Sequence, residues 1–154
     1  ETCPHPIDAY GSAKLAACIL TRQRAMDLGI EWIWGRIFSL YGKYEPAGRM
    51  LPELVASLQA GKDFYMQSDG RQNWDYLNVI DGAEALIALG EKGRSGEIYN
   101  IASGKYKPLK EFIEDIQKVI NSEAKVYYAE GKKALFSLQV DVSKIVCDTG
   151  WKAN

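Results

Sequence analysis

The feature that most constrains this chain is a repeated change of hydrophobic period. Segments patterned for helix alternate with short segments rich in β-branched and aromatic residues. Residues 9–28 read as a helix, with Asp8 placed to cap it, Leu15, Ala16, Ile19 and Leu20 at helical spacing, and Gly29 as the stop. "IEWIWGRIF" at 30–38 reads as a buried strand. Residues 50–60 read as a second amphipathic helix ending at Gly61. "DFYMQ" at 63–67 reads as a short strand, "SDGRQN" as a turn and "WDYLNVI" as an extended segment. Asp81 is placed to cap "GAEALIALG". "GEIYNIAS" at 96–103 and "KVYYAE" at 125–130 are further strands, with Pro108 opening the helix "LKEFIEDIQKVI" between them. Strand and helix in alternation predict an α/β architecture with a mainly parallel sheet. One departure stands out: "ETCPHPIDAY" is a proline-punctuated loop that enters a helix with no strand before it.

At 154 residues the chain is long enough for an ordinary core. Its 19 basic and 20 acidic side chains leave a net charge of -1. No strong field would draw it to nucleic acid or to an anionic membrane. Cys3, Cys18 and Cys147 are odd in number and widely spaced, without the paired spacing of metal sites, so reduced thiols in a cytoplasmic protein are expected. No apolar run reaches the length of a membrane-spanning helix, and no leader pattern precedes the first helix.

Tyr10 and Lys14 lie four apart on the first helix and so share a face. A cation at about 4 Å in an effective dielectric near 20 favours a phenolate by roughly 4 kcal/mol. That is enough to bring a phenol from about pH 10 toward neutrality, where it can exchange protons with a substrate hydroxyl. The pair alone fits an ordinary helix, with tyrosine half buried and lysine solvated, better than it fits a catalytic site. Its sequence context shifts that balance.

"P-x-x-x-Y-G-S-A-K-L-A-A", then "GRIFSLYG", "LPELVASLQAGKDFYMQSDGRQNWDYLNVIDGAEAL", "GEIYNIASGKYKPLKEFI" and "DVSKIVCDTGW" follow one another in the order of the extended short-chain dehydrogenase/reductase family. The chain resembles its NAD-dependent nucleotide-sugar epimerases and dehydratases from Glu1 to about Trp151. The resemblance implies the C-terminal part of a Rossmann-type doubly wound parallel sheet plus a small α/β substrate-binding domain. Residues 1–154 would then be a single C-terminal fragment. Sheet elements are expected at roughly 1–45 and 70–105, and substrate-domain elements at roughly 46–69 and 106–154. The N-terminal dinucleotide-binding half, with its glycine-rich loop, is expected to be absent.

By the same resemblance Tyr10 is the acid/base, and Lys14 binds the nicotinamide ribose of NAD, or NADP, and depresses the tyrosine's pKa. Ile37 and Phe38 are expected near the nicotinamide, and Ser39 stands where many members have a substrate-binding asparagine. Ser39 is as readily a packed strand end satisfied by backbone. Leu51, Tyr65, Gln67 and Asp75 are candidates for holding a nucleotide-diphosphate sugar, each with an equal structural reading. Members generally carry Arg-Asp where this chain has Trp74-Asp75, and use the arginine on the diphosphate. An indole offers one donor and a flat face in place of a bidentate cation. Arg71 could substitute only if the turn bends it round, since three positions along a strand reverse its face.

Gly90, Gly93 and Gly96 match the spacing of a phosphate-binding loop but follow a helix and precede a strand, the wrong order for one. They read as a surface turn, His5 as a loop residue, and Cys18 as a small core residue. The expected function is the C-terminal portion of an NAD(P)-dependent nucleotide-sugar epimerase or dehydratase, inactive as the isolated chain. The alternative is a non-catalytic binding or assembly module built on that fold. An exposed sheet edge and uncovered helix faces would seek a partner, so a homo-oligomer is expected.

Overall fold

The computed structural model describes residues 4–120, 123–132 and 136–154. Cys3 lies outside them. Helix α1 spans Ala9–Leu28. The Asp8 carboxylate accepts from the Gly11 N–H at 2.6 Å, and Gly29 closes the helix in the left-handed conformation. Both ends are thus fixed by local chemistry of the kind that contributes about 1 kcal/mol per cap. Strands β1 (Trp34–Ile37) and β2 (Ser39–Tyr41) follow, then α2 (Met50–Gln59), β3 (Phe64–Tyr65), β4 (Asn73–Trp74) and β5 (Tyr76–Asn78). Helix α3 (Val79–Lys92), β6 (Ile98–Ile101), β7 (Lys107–Pro108), α4 (Leu109–Ile120), β8 (Val126–Tyr127) and α5 (Ser143–Thr149) complete the order.

The strands form four pairs. β1 with β6, β2 with β5 and β3 with β8 are parallel, and β4 with β7 is antiparallel. The fold is therefore the expected α/β arrangement with a mainly parallel strand pattern, but several local expectations need correction. The strand within 30–38 covers only Trp34–Ile37 and is half-buried, because among the described residues β1 pairs on one edge only. The extended "WDYLNVI" breaks at Asp75, and Val79 and Ile80 already belong to α3. The cap of that helix is Asn78, whose side chain accepts from the Ile80 N–H at 2.9 Å, and Asp81 sits one turn inside. Helix α5 was not anticipated.

Two apolar clusters hold the elements. One gathers Leu77, Ala85, Leu89, Tyr99, Ile101, Ile145 and Trp151. The other gathers Leu54, Leu58, Leu109, Ile113 and Ala124. Alternation along β6 explains the first: Tyr99 and Ile101 are both fully buried on one face of the strand. Ile145 and Trp151 pack into this cluster although they fall in the 106–154 segment expected to build the other unit. The two clusters flank a cavity at the ends of β2 and β4.

Candidate functional site

The cavity has a volume of about 730 Å³, the size of a small-molecule site. Its lining runs from Ile37, Phe38 and Ser39 at the β1–β2 junction through Tyr41 to Glu45, then Arg49, Met50 and Leu51 at the start of α2. Trp74 and Tyr76 on β4 and β5, Val79, Phe136 and Leu138 close it. The parallel register of Ser39 with Tyr76 puts the two inner strands side by side at its floor. Gly42 lets the chain turn there: its φ is 144°, and a Cβ would meet Val79 Cγ1 at 2.7 Å. A second cavity of about 660 Å³ lies behind the same segment, bounded also by Val55, Phe112, Ile116 and Val119. Tyr41, Gly42, Tyr44, Glu45, Leu51 and Tyr76 line both.

Of the residues singled out in the sequence, Ile37, Phe38, Ser39 and Leu51 meet in the first cavity. Ile37 is 47% exposed, so its apolar face is open at the strand end. Tyr10 and Lys14 stand outside it on the exposed N-terminal part of α1, with the Lys14 Nζ 5.5 Å from the centre of the Tyr10 ring. The ammonium therefore sits over the face of the phenol, a cation–π arrangement. Tyr65 is exposed and stacks on Tyr127 with ring centres 5.0 Å apart, and Gln67 is exposed beside it. The Arg71 side chain is 87% exposed and turns back to Asp69, whose Oδ1 accepts from the Arg71 N–H at 3.1 Å. The turn does not bring it to the Trp74 face.

Asp75 is fully buried. One carboxylate oxygen accepts from the Ser103 N–H and hydroxyl at 2.8 and 2.7 Å, the other from the Gly104 N–H at 2.9 Å. It joins β5 to the turn after β6 and faces the interior of the fold. Trp74 is displayed on the opposite face, as alternation requires. Its ring lies 5.6 Å from Phe136 and 6.3 Å from Tyr76. Burial, and secondarily Glu45, pushes the Tyr76 hydroxyl well above the ordinary phenol range, so it remains a neutral phenol in the wall. Trp74 was noticed in the sequence only as a replacement. Tyr76, Phe136 and Arg49 were missed as lining residues, because the strand pairings and the return of 136–138 that assemble them are long-range.

Elsewhere, burial raises the Cys18 thiol above its usual range, against the opposing charges of Arg36 and Arg22. Cys18 is a core residue, and both it and Cys147 are free thiols. His5 is exposed. No group of three metal-ligating side chains occurs among the described residues. No helix among them is long and apolar enough to cross a membrane. Gly90 lies in the last turn of α3, Gly93 follows it, and Gly96 precedes β6, the helix–glycine–strand order read from the sequence.

Comparison with known proteins places this geometry. The dTDP-glucose 4,6-dehydratase of Haemophilus influenzae is 28% identical over 163 residues, which cover 96% of this chain and 48% of that protein. A putative UDP-arabinose 4-epimerase of Arabidopsis thaliana is 30% identical over 179 residues, covering 99% of this chain and 40% of its own length. The crystal structure of dTDP-glucose 4,6-dehydratase from Bacillus anthracis in complex with NAD superposes with a TM-score of 0.86 at 25% identity, over all of this chain and 49% of that one. The chain thus spans about half the length of the relatives it matches, or less. Residues 1–102 match the profile of the NAD dependent epimerase/dehydratase family, and the chain belongs to that family.

Proposed function

We propose that this chain is the substrate-binding portion of an NAD(P)-dependent nucleotide-sugar epimerase or dehydratase, with Tyr10 as acid/base and Lys14 as its partner. The observation that carries the reading is the family match of residues 1–102, which include Tyr10 and Lys14 on one open helix face and, apart from them, most of the lining of a ligand-sized cavity at the β1–β2 junction. The residues present fit one end of a dinucleotide. Lys14 offers an ammonium to ribose hydroxyls, and Ile37 an exposed apolar surface to a nicotinamide ring. Among the described residues no glycine loop runs from a strand into a helix, so the pyrophosphate end finds no cradle here.

Nicotinamide, when bound, supplies hydride acceptance and return. The Tyr10 phenolate takes the proton of the sugar hydroxyl as its carbon is oxidised, becoming the phenol, and gives it back on reduction. Lys14 orients the phenol and stabilises its anion. The ketone formed acidifies the neighbouring C–H, which opens the way to epimerisation or loss of water. Ser39 and Leu51 contact the sugar nucleotide in the cavity, while Tyr65, Gln67 and Arg71 lie beyond its rim. The 154 residues by themselves bind without turning over.

Calorimetric titration of NAD, dTDP-glucose and UDP-sugars into the purified chain tests this. Binding of a nucleotide sugar without NAD is expected. Binding of neither would remove the substrate-site reading, and tight NAD binding would contradict the assignment of the pyrophosphate-binding part of the cofactor site to residues outside this chain. In a protein completed with a dinucleotide-binding half, Tyr10→Phe should lower kcat by roughly 100-fold or more while leaving sugar-nucleotide affinity unchanged.

A second reading, an assembly module, draws on α1. Ile19, Leu20, Met26 and Leu28 are all more than half exposed on it, and only Cys18 and Ala25 are buried. We propose a homo-oligomer through this helix, compatible with either function.

A further inference from the structure

Among the described residues, the lining of the first cavity is rich in aromatic rings and carries few charges. Its lining includes two cations, Lys43 and Arg49, and one carboxylate, Glu45. Both cations are exposed in or next to the loop after β2, at the mouth. The aromatic part of the lining is Trp74 and Tyr76, both half-buried, with Phe136. The Trp74 ring is tilted by 31° to Phe136 and by 46° to Tyr76. Two described basic residues close to Trp74 in the chain or sheet are engaged elsewhere. Arg71 turns back to Asp69, and Lys107, which faces Trp74 across the β4–β7 pair, binds Asp115 and lies over the Phe112 ring. Phe136 is 56% exposed beside the cavity, an aromatic face with ligand-sized space in front of it.

A wall of this kind attracts the apolar face of a ring through contact area and dispersion, and offers a phosphate neutral donors, such as the unpartnered Trp74 indole N–H, but no charge. We propose that Trp74, braced by Tyr76 and Phe136, is the platform on which a ring of the ligand stacks, and that it sets specificity by making ring contact outweigh phosphate charge. The inference rests on the nucleotide-sugar reading for the ligand's class. A nucleobase and a pyranose both present a suitable face, and the probes separate them.

The test measures affinity of the purified chain for uridine, methyl glucoside, UMP, UDP and UDP-glucose, with wild type, Trp74→Leu, Trp74→Phe and Trp74→Arg. Stacking on an aromatic residue makes Trp74→Leu expected to weaken ring-bearing ligands by roughly tenfold or more, with Trp74→Phe restoring most of it. In wild type, UDP should bind less than about tenfold tighter than UMP, and Trp74→Arg should widen that ratio, since a guanidinium grips phosphate with paired donors. Uridine or methyl glucoside, whichever responds to the substitutions, identifies the stacked ring.

The platform is overturned if Trp74→Leu, folded as judged by its melting curve, binds UDP-glucose as wild type does. The nucleotide-sugar reading then stands. If Trp74→Leu does not fold, the phosphate ladder in wild type and the Trp74→Phe variant decide the matter. Should the chain bind uridine or methyl glucoside through Trp74 but no nucleotide sugar, the platform stands and the substrate reading falls. Binding of none of the five removes both.

Discussion

Asp75 and Trp74 are neighbours in sequence with opposite tasks. The carboxylate of Asp75 faces inward and satisfies three donors from Ser103 and Gly104, while the indole of Trp74 faces the cavity. Removing a buried acceptor leaves its donors unpaired, which costs more than the bonds themselves were worth. Asp75→Ala should therefore lower unfolding stability by about 3 kcal/mol, read as a shifted urea midpoint with unchanged slope. The sequence alone left Asp75 balanced between ligand contact and structure. Nothing within a few residues of it signals the partner loop 28 positions away, so its burial could not be read from the local pattern.

At the scale of elements, legibility followed the range of the interactions. Helix α1 was legible to the residue because Asp8 and Gly29 fix its ends locally. The start of α3 was misplaced because two capping-competent residues, Asn78 and Asp81, lie three apart, and the chain's emergence from the β2–β5 pair selects the first. Helix α5 has seven residues and is held by tertiary contacts: Tyr99 on β6 donates its hydroxyl to Asp148 at 2.8 Å, and Arg94 donates at 2.8 Å. No periodicity of that length could announce it. This clamp also sets a pH dependence. The Tyr99 hydrogen bond, then Arg94, holds the Asp148 carboxyl below its usual range despite the opposing effect of burial. A lowered folded-state pKa means stability that is present above the unfolded value, near 4, and lost as pH falls through the folded one. The melting temperature should be flat between about pH 5 and 8 and fall below about pH 4. Asp148→Asn should start lower and fall less steeply, with a residual slope from Glu97, Asp115 and Asp141, which Lys144, Lys107 and the Ser143 hydrogen bonds respectively hold low.

Across the whole molecule, the described residues divide into two apolar clusters with the ligand-sized cavity between them, and α1 stands apart from both with most of its apolar side chains in water. Self-association through α1, as proposed above, would cover such a face. Sedimentation velocity should show a species heavier than the 17.2 kDa chain, and replacing Ile19 and Leu20 by lysine should return it to monomer without loss of helix content. The partition between the two cavities has a further consequence. Glu45, Leu51 and Tyr76, all half-buried, line both chambers, so the two share side chains. A side chain shared in this way that moves out of one chamber moves toward the other. A molecule lodged against Ile116 and Val119 would thus be felt in the first chamber as lost volume. The septum turns two separate rooms into communicating vessels.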